Sequence, residues 1–405
     1  MIYNFDEVIP RNHTRSYKWD FRKDGGKVVH WDGTDPINGA DQILPMWLAD
    51  MDFPSPQPVE DALAERVRHG VYGYTYADDA LHNSVVNWMQ KRHNWDISAD
   101  WVRVVPAGIV PGLHMLVQTY VKPGEKVLIQ PPVYYPFSFA IANNGGEVVN
   151  NPLIYERGSY YMDYEDLERK TADPSVKMAI LCSPHNPVGR VWTREELCRF
   201  AEICLRNDVL IIADEVHCDL TYNNVTFVPF CTLGQEVSEK TVVCNAPSKT
   251  FNLAGLQTSN LIFPGEALRA RFDHTLKVLG LFGLNPFSAL ALETAYNEGD
   301  EWLDQLMTYI QSNYGYMDSY FAEHLPQLST IQPEATYLVW FDCRGLGLGK
   351  DALEDLMFNK AKIYFDEGYI FGEEGEGFER INIACPRAIL VDAMERIRKA
   401  IDTLN

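Results

Sequence analysis

The chain has no long apolar stretch, no close cysteine pair and no excess of positive charge. Its apolar runs are far shorter than the roughly 20 residues that a membrane-spanning helix requires. Its first 15 residues contain Asp6 and Glu7 and lack the continuous apolar segment of a secretory signal. The net charge of -21 argues against non-specific binding to nucleic acid or to anionic membranes. We therefore expect a cytoplasmic protein.

The cysteines and the chain length further limit the kind of protein this can be. Eight cysteines are scattered along the chain without a C-x-x-C pair or a cluster with histidines, so we expect reduced core thiols and no metal site. The 405 residues exceed a typical single domain, which favours one large and one smaller domain.

Short β-branched runs alternate with helical patterns from about residue 100 to 263. This alternation predicts an α/β fold with a mostly parallel sheet covered on both faces. The predicted strands are residues 101–105, 126–129, 178–181, 209–213 and 241–244. Thr193 and Glu196 have the spacing of a capping box at the start of an amphipathic helix.

The chain is predicted to divide into three segments. Residues 1–45 are polar and turn-rich, with Gly25-Gly26, Asp32-Gly33 and Asn38-Gly39, and are expected to form a surface arm that contributes to the smaller domain. Residues 46–285 would form the large domain. From Pro286 onward the pattern changes to long helices, a strand at 337–341 and an amphipathic helix at 390–401, so residues 286–405 would form a smaller α+β domain.

Four predicted strands end close to polar residues, namely Tyr134, Asn186, Asp214 and Lys249. The carboxyl ends of parallel strands meet at one edge of a sheet, where such groups can share a crevice. Pyridoxal phosphate (PLP) needs these types: a lysine to attach it, an acid for the ring nitrogen, an amide for the phenolate oxygen and an aromatic to stack on the ring. Taken singly, each residue is more simply a packed tyrosine, a turn amide, a strand-end acid or a surface lysine. Their combination favours a PLP site.

Three further motifs are weaker when taken alone. Gly108 precedes an apolar helical pattern, and a glycine turn that opens a helix presents free backbone N–H groups suited to phosphate. Tyr72, Tyr74 and Tyr76 surround a glycine and more often pack at an interface than bind a ligand. The pattern of residues 44–54, apolar groups between two acids and a proline, favours a packed loop.

Together these motifs resemble the aminotransferase class I/II, fold-type-I PLP enzymes, most closely the cystathionine β-lyase or C–S lyase branch. The resemblance covers nearly the whole length. Its motifs are Pro45-Met46-Trp47, Ala49-Asp50-Met51-Asp52-Phe53, Pro132-Val133-Tyr134, Ser183-Pro184-His185-Asn186-Pro187-Val188-Gly189, Asp214-Glu215-Val216-His217, Ser248-Lys249-Thr250-Phe251-Asn252, Arg380-Ile381-Asn382 and Pro386-Arg387.

The resemblance implies a large domain with a mostly parallel seven-stranded sheet, plus a smaller α+β domain. It implies that Lys249, Asp214 and Tyr134 act in catalysis, and that Arg380 and Ala49 bind the substrate. The implied cofactor-binding residues are Lys249, Asp214, Asn186, Tyr134, His217, Ser248, Gly108, Ile109, Val110 and Tyr74. Tyr74 would reach the phosphate of a neighbouring subunit, which implies a homodimer with shared active sites.

Two departures from the family pattern stand out. Gln257 occupies a position where many relatives place a basic residue on the phosphate, and His217 stands where aminotransferases commonly have tyrosine. The second departure resembles the lyase branch. We therefore expect a β-lyase that cleaves L-cysteine thioethers such as L-cystathionine to a thiol (homocysteine), pyruvate and ammonia. An aminotransferase and a PLP-binding regulatory protein are the alternatives.

Overall fold

A computed structural model describes residues 1–24, 26–30 and 42–404. The helices are α1 Tyr17–Asp20, α2 Gln57–His69, α3 Asp79–His93, α4 Ile109–Tyr120, α5 Pro136–Asn143, α6 Tyr164–Thr171, α7 Arg194–Arg206, α8 Gln235–Glu239, α9 Pro247–Thr250, α10 Glu266–Leu279, α11 Pro286–Glu298, α12 Asp300–His324, α13 Lys350–Glu354 and α14 Arg387–Asp402.

The strands are β1 Phe21–Asp24, β2 Lys27–His30, β3 Leu44–Pro45, β4 Val102–Val105, β5 Lys126–Ile129, β6 Glu147–Asn150, β7 Ile154–Glu156, β8 Ser159–Tyr161, β9 Val176–Cys182, β10 Leu210–Asp214, β11 Thr241–Asn245, β12 Ser259–Ile262, β13 Ser329–Thr330, β14 Leu338–Asp342, β15 Ile363–Tyr364, β16 Asp366–Glu367 and β17 Phe378–Asn382.

A seven-stranded sheet forms the centre of the molecule, in the order β4-β12-β11-β10-β9-β5-β6. Only β12 runs against the others, pairing antiparallel with both β11 and β4. The central strands are buried along almost their whole length, as expected for parallel strands covered on both faces. The predicted mostly parallel seven-stranded sheet is confirmed.

The predicted strands and the capping box are also confirmed, with small shifts at the ends. The strand predicted at 178–181 extends over Val176–Cys182, and the strand predicted at 337–341 runs one residue later. Thr193 and Glu196 cap each other's backbone at the start of α7. Among the described residues, no helix combines the length and apolar character needed to span a membrane.

A second, antiparallel sheet has the order β13-β14-β17-β16. The register places Asp366 of β16 directly opposite Arg380 of β17. Side chains of directly paired residues lie on the same face of a sheet and interact. This pairing fixes the position of the arginine that the resemblance assigns to the substrate.

Some of the first 20 residues, which belong to the expected surface arm, lie in the core. Phe5, Lys18 and Trp19 are buried, and the Phe5 ring packs edge-on against Phe53 and Trp302. The apolar residues in this segment are too widely spaced to produce a period that reveals burial. Gly25 and the predicted turns Asp32-Gly33 and Asn38-Gly39 lie outside the described residues.

Candidate active site

A cavity of about 270 Å³ opens at the carboxyl edge of the large sheet. Its volume is close to the lower end of ligand pockets, roughly 300 Å³. Ten of the twelve predicted site residues line it, namely Ala49, Gly108, Ile109, Val110, Tyr134, Asn186, Asp214, His217, Ser248 and Lys249. Adjacent parallel strands bring Tyr134, Asn186, Asp214, His217, Ser248 and Lys249 together, because the loops after β5, β9, β10 and β11 leave the sheet side by side. Ala49 comes from the loop after β3, and Gly108, Ile109 and Val110 follow β4.

Lys249 lies in α9, immediately after β11. Its Nζ donates to the carbonyl oxygen of Ala49 at 2.8 Å, and the Tyr337 hydroxyl donates to the same oxygen at 3.1 Å. Burial lowers the pKa of Lys249 to about 8, although the charges of Asp50 and Asp214 oppose the shift. A larger fraction of this amine is therefore neutral near pH 7 than in an ordinary lysine, and neutral amines act as nucleophiles and bases.

Asp214 is the last residue of β10 and is buried. In the described part of the chain, the one hydrogen bond to its carboxylate comes from the Val216 N–H at 3.3 Å. Burial raises the pKa of Asp214 to about 7, and the charge of Lys249 opposes this shift. A buried carboxylate with so few partners is costly unless a cationic group joins it.

Tyr134, Asn186 and His217 form another part of the cavity wall. The Tyr134 N–H donates to the Asn186 carbonyl at 3.0 Å, which joins two of the strand-end loops. Burial lowers the pKa of His217 to about 3, so its imidazole is neutral near pH 7. Within the described chain its buried Nδ1 has no hydrogen-bond partner.

The helix α4 begins at one end of the cavity. Gly108 precedes it with φ 75°, a left-handed conformation that other residues adopt at a cost. The first N–H groups of a helix have no intrahelical acceptor, so those of Ile109 and Val110 are available to an anion. Ser248 lines the same cavity, and Lys249 is the one lysine or arginine among the described lining residues. Gln257 provides no positive charge there.

Arg380 lies beside the cavity and is connected to it through Asn186. Its Nη1 donates to the Asn186 Oδ1 at 2.9 Å, and its Nη2 donates to the Trp47 carbonyl at 3.0 Å. The same Nη2 makes an ion pair with Asp366. Its buried Nε has no partner among the described residues. The guanidinium is thus oriented by the fold and keeps one donor free.

The loop that follows β3 carries Ala49 and is fixed from two sides. The Asn382 side chain donates to the carbonyls of Leu48 and Asp50 at 2.7 and 2.6 Å. The Asn252 side chain accepts from the Met51 N–H at 2.9 Å and donates to the Met51 carbonyl. The packed loop predicted at 44–54 is therefore correct, and it also places the Ala49 carbonyl on Lys249.

Tyr74 is not brought to this cavity. Its side chain is fully exposed in the single chain. The adjacent Thr75 is anchored to Leu284, whose N–H donates to the Thr75 carbonyl at 3.0 Å. Tyr74 and Arg380 are thus the two predicted site residues that do not line the cavity.

A second polar cluster contacts Thr250, the residue after Lys249, and the sequence analysis missed it. The ligating atoms of His93, Cys218 and Asp219 lie within 4.8 Å of one another. Spacing along the sequence could not show this cluster, because the fold joins segments 125 positions apart. Hydrogen bonds among described residues already occupy these atoms, including one to Cys218 Sγ from the Asn245 amide at 3.2 Å.

Several other residues at the site were also missed. Asp50 acts electrostatically on Lys249, Tyr337 shares its Ala49 acceptor, and Asp366 pairs with Arg380. Asp50 belongs to a motif that the family resemblance quotes, so that signal could have found it. Tyr337 and Asp366 carry no local signal, because their roles depend on contacts with distant segments.

The residues present fit PLP. One cavity contains a lysine with a lowered pKa and a buried carboxylate that a cationic group would stabilise. A helix begins at one end of the same cavity and presents its N-terminal N–H groups there. His217 Nδ1 is buried and unpartnered, which leaves a polar atom for a ligand. The attachment amine, the acid for a ring nitrogen and the donors for a phosphate are therefore all present.

Comparisons with known proteins agree with this geometry. The chain is 42% identical, over 93% of its length and 97% of the relative's, to cystathionine β-lyase PatB of Bacillus subtilis. The crystal structure of cystalysin from Treponema denticola, which contains a PLP cofactor, superposes with a TM-score of 0.93 at 36% identity over the full length of both chains. A PLP-bound C–S lyase from Staphylococcus hominis superposes with a TM-score of 0.88 at 31% identity, over 99% of this chain and 98% of the other.

The family comparison covers most of the chain. Residues 49–397 match the model of the family described as aminotransferase class I and II. This span includes every predicted site residue. The chain therefore belongs to the aminotransferase class I and II family.

Proposed function

We propose that this chain is a PLP-dependent C–S β-lyase. It cleaves L-cysteine thioethers, such as L-cystathionine, into a thiol, pyruvate and ammonia. The observation that carries the proposal is the buried pair of Lys249 and Asp214 in one cavity beside a helix N-terminus. The 42% identity to a curated cystathionine β-lyase supports the choice of reaction.

Each polar group of the cavity has a part in this reaction. When bound, PLP supplies an electron sink for the electron pair that remains on the substrate Cα after its proton leaves. Lys249 would attach the cofactor, and its neutral amine, once released, would take the Cα proton. Asp214 stabilises the protonated ring nitrogen, which relieves the cost of its own burial. The amides of Gly108, Ile109 and Val110, with Ser248, hold the phosphate.

The remaining residues orient the ring and the substrate. Tyr134 would pack on the cofactor ring, and Asn186 and His217, which line the same cavity, would hold its phenolate oxygen. Arg380 binds the substrate α-carboxylate, for which its planar fork is suited. The Ala49 carbonyl accepts from Lys249 and would lie next to a bound substrate.

The reaction type is tested by supplying two substrates to the PLP-loaded protein. With L-cystathionine and no keto acid, we expect sustained release of pyruvate, ammonia and thiol. With L-alanine and 2-oxoglutarate, turnover should be slow, because alanine has no β-leaving group. The Lys249→Ala variant serves as the control and should be inactive in both assays. If only the reaction of L-alanine with 2-oxoglutarate runs for many turnovers, the protein is an aminotransferase. PLP binding without either reaction would favour a regulatory role.

The proposed enzyme is a homodimer whose active sites are shared. Several large apolar residues are exposed near Tyr74 in the single chain, namely Val71, Tyr72, Tyr76 and Phe282. An apolar patch of this kind on a soluble protein commonly marks an association surface. A neighbouring cavity of about 800 Å³, lined by Tyr76 and Phe282, can accommodate side chains of a second copy. Tyr74 then reaches the partner's phosphate.

The location and the pathway follow from the same proposal. Eight free cysteines suit a reducing compartment, and we place the enzyme in the cytoplasm. Homocysteine as the product places the reaction in methionine biosynthesis. The division into an arm at 1–45, a large domain at 46–285 and a small domain at 286–405 is part of the same proposal.

A further inference from the structure

Asp219 is a buried acid that the proposed reaction does not use. It belongs to the loop that follows Asp214. Its Oδ2 accepts from the Thr250 hydroxyl at 2.7 Å. Its Oδ1 lies 2.7 Å from His93 Nε2 and accepts from Trp88 Nε1 at 3.1 Å. The three groups come from two other segments of the chain, so Asp219 is a junction between them.

Thr250 directly follows Lys249 and is the last residue of α9. A helix of four residues is too short to be stable by itself, so contacts with its surroundings must fix it. The Thr250 hydroxyl gives it one such contact, on Asp219. Trp88 provides a second contact. Its ring packs edge-on against Phe251, with 5.4 Å between the ring centroids, while its N–H donates to Asp219.

We propose that Asp219 is a positioning residue, which binds Thr250 and thereby fixes the Lys249 amine in its buried place. This role rests on the proposed function of Lys249. The loop of Asp214 and His217 and the turn of Lys249 leave the sheet separately, at β10 and β11. The bond between Asp219 and Thr250 connects them beyond the sheet edge and sets the separation between the attachment lysine and the ring-nitrogen acid.

Asp219 is suited to this task because it stays ionised. Burial by itself would raise its pKa, but hydrogen bonding and charge from His93, together with the Thr250 hydroxyl, lower the pKa below its usual value. A hydrogen bond to an ionised acceptor is stronger than one between neutral groups. The hydrogen bonds that Asp219 accepts are therefore strong at neutral pH.

Loosening this bond has a specific consequence for Lys249. Burial is the main cause of the lowered pKa of the amine. The charges that face it are Asp50 from the loop after β3, Asp214 from β10 and Arg380 from β17. If the turn moves, the amine gains contact with water and its pKa rises. Fewer amines are then neutral at pH 7, so PLP attaches more slowly.

The test compares two threonine variants in apoenzyme prepared from the full chain. Thr250→Val removes the hydroxyl bound to Asp219. Thr241→Val is the matched control, because Thr241 is also buried, lies at the opposite end of β11, and donates its hydroxyl to the Val237 carbonyl at 2.7 Å. For each protein, the rate of PLP attachment is followed by absorbance across pH 6–10, and thermal unfolding of the apoenzyme is measured separately.

We expect Thr250→Val to raise the midpoint of the pH–rate curve by about one unit and to slow attachment at pH 7 about tenfold. Thr241→Val should lower the melting temperature comparably but leave the midpoint unchanged. Thr250→Ser, which keeps the hydroxyl, should restore the wild-type midpoint. If Thr250→Val fails to fold, Thr250→Ala gives the same comparison.

An unchanged midpoint in Thr250→Val, or an equal shift in both valine variants, would overturn the positioning role. In either case, if borohydride reduction of the wild type gives a stable PLP adduct on Lys249, the proposed function is still supported. Absence of that wild-type adduct would overturn the proposed function and the positioning role together.

Discussion

At the residue scale, burial sets the reactivity of Lys249. The lowered pKa, about 8, predicts that the rate of PLP attachment to the apoenzyme rises with pH and reaches its midpoint near 8. The sign follows because attachment needs the neutral amine, whose fraction grows as pH approaches the pKa from below. Stopped-flow absorbance measures the rate. A midpoint near the ordinary lysine value, about 10.4, would show that the amine is not buried in solution.

The Asp214 carboxylate is expected to matter for turnover more than for cofactor retention. Asp214→Asn should keep PLP bound, through Lys249 and the phosphate donors, but should lose most activity. An opposite charge at about 4 Å contributes on the order of 4 kcal/mol at an effective dielectric near 20, which corresponds to about a thousandfold in rate. Steady-state kinetics with absorbance of the bound cofactor measures both effects. Near wild-type turnover would contradict the proposed interaction of Asp214 with the ring nitrogen.

Arg380 is tested best by a change that keeps its charge. Arg380→Lys leaves Asp366 with a cationic partner but removes the planar fork. We expect KM for L-cystathionine to rise about ten- to a hundredfold, with a smaller change in kcat, because the α-carboxylate is bound in both ground and transition states. Binding of a substrate analogue that lacks the α-carboxylate should be unaffected. An unchanged KM would place the carboxylate elsewhere.

At the element scale, the N-terminal segment fixes the loop that carries Ala49. Asp52 of this loop accepts from Lys18 Nζ at 2.7 Å, from Arg11 Nη1 at 2.7 Å and from Trp19 Nε1 at 2.8 Å. Burial opposes ionisation of Asp52, but the charges of Lys18 and Arg11 prevail and lower its pKa. The first 20 residues thus contribute structure to the active site, through a loop distant in sequence.

Asp52→Asn should therefore destabilise the fold by about 3–5 kcal/mol at pH 7, because it removes the closer of the two carboxylates that pair with the buried Lys18 and leaves it Asp50 at 3.9 Å. The folded-state pKa of Asp52 lies below its unfolded value. Its contribution is thus present above about pH 4 and is lost as pH falls through the folded value. Denaturation across pH 3–7 should show the two proteins converging in acid.

The control for Asp52 is an acid in an exposed ion pair. Asp208→Asn removes the partner of Lys240 at the surface, where both side chains are more than half exposed. Exposed pairs contribute little to stability, so this variant should unfold like the wild type. Equal effects of the two substitutions would contradict the buried role of Asp52.

At the scale of the whole molecule, the shared-site dimer can be tested by complementation. In a mixed dimer of the Lys249→Ala and Tyr74→Ala chains, one active site has an intact Lys249 and receives Tyr74 from its partner. Random mixing makes half of the dimers mixed, so activity should return to about a quarter of the wild type. Activity that only averages the two parent variants would show that Tyr74 does not reach across.

The sequence pattern was sufficient for five of the seven strands of the large sheet and for the polar residues that follow them, and the family resemblance supplied the number of strands and further lining residues. Short β-branched runs predict strands. Polar residues directly after such runs lie at the carboxyl edge when the strands form a parallel sheet. Tyr134, Asn186, Asp214 and Lys249 could therefore be placed together without coordinates. The glycine before α4 could be placed for the same local reason, and the family resemblance added Arg380 and Ala49.

The tertiary structure alone decided which distant groups act on these residues. No local pattern predicts that the Ala49 carbonyl accepts from Lys249, that Asp366 pairs with Arg380, or that Asp219 binds Thr250. These contacts join segments separated by many residues, and their geometry depends on how the elements pack. Burial of Lys18 was unpredictable for the same reason, since a single cation enters a core only when packing provides its anion.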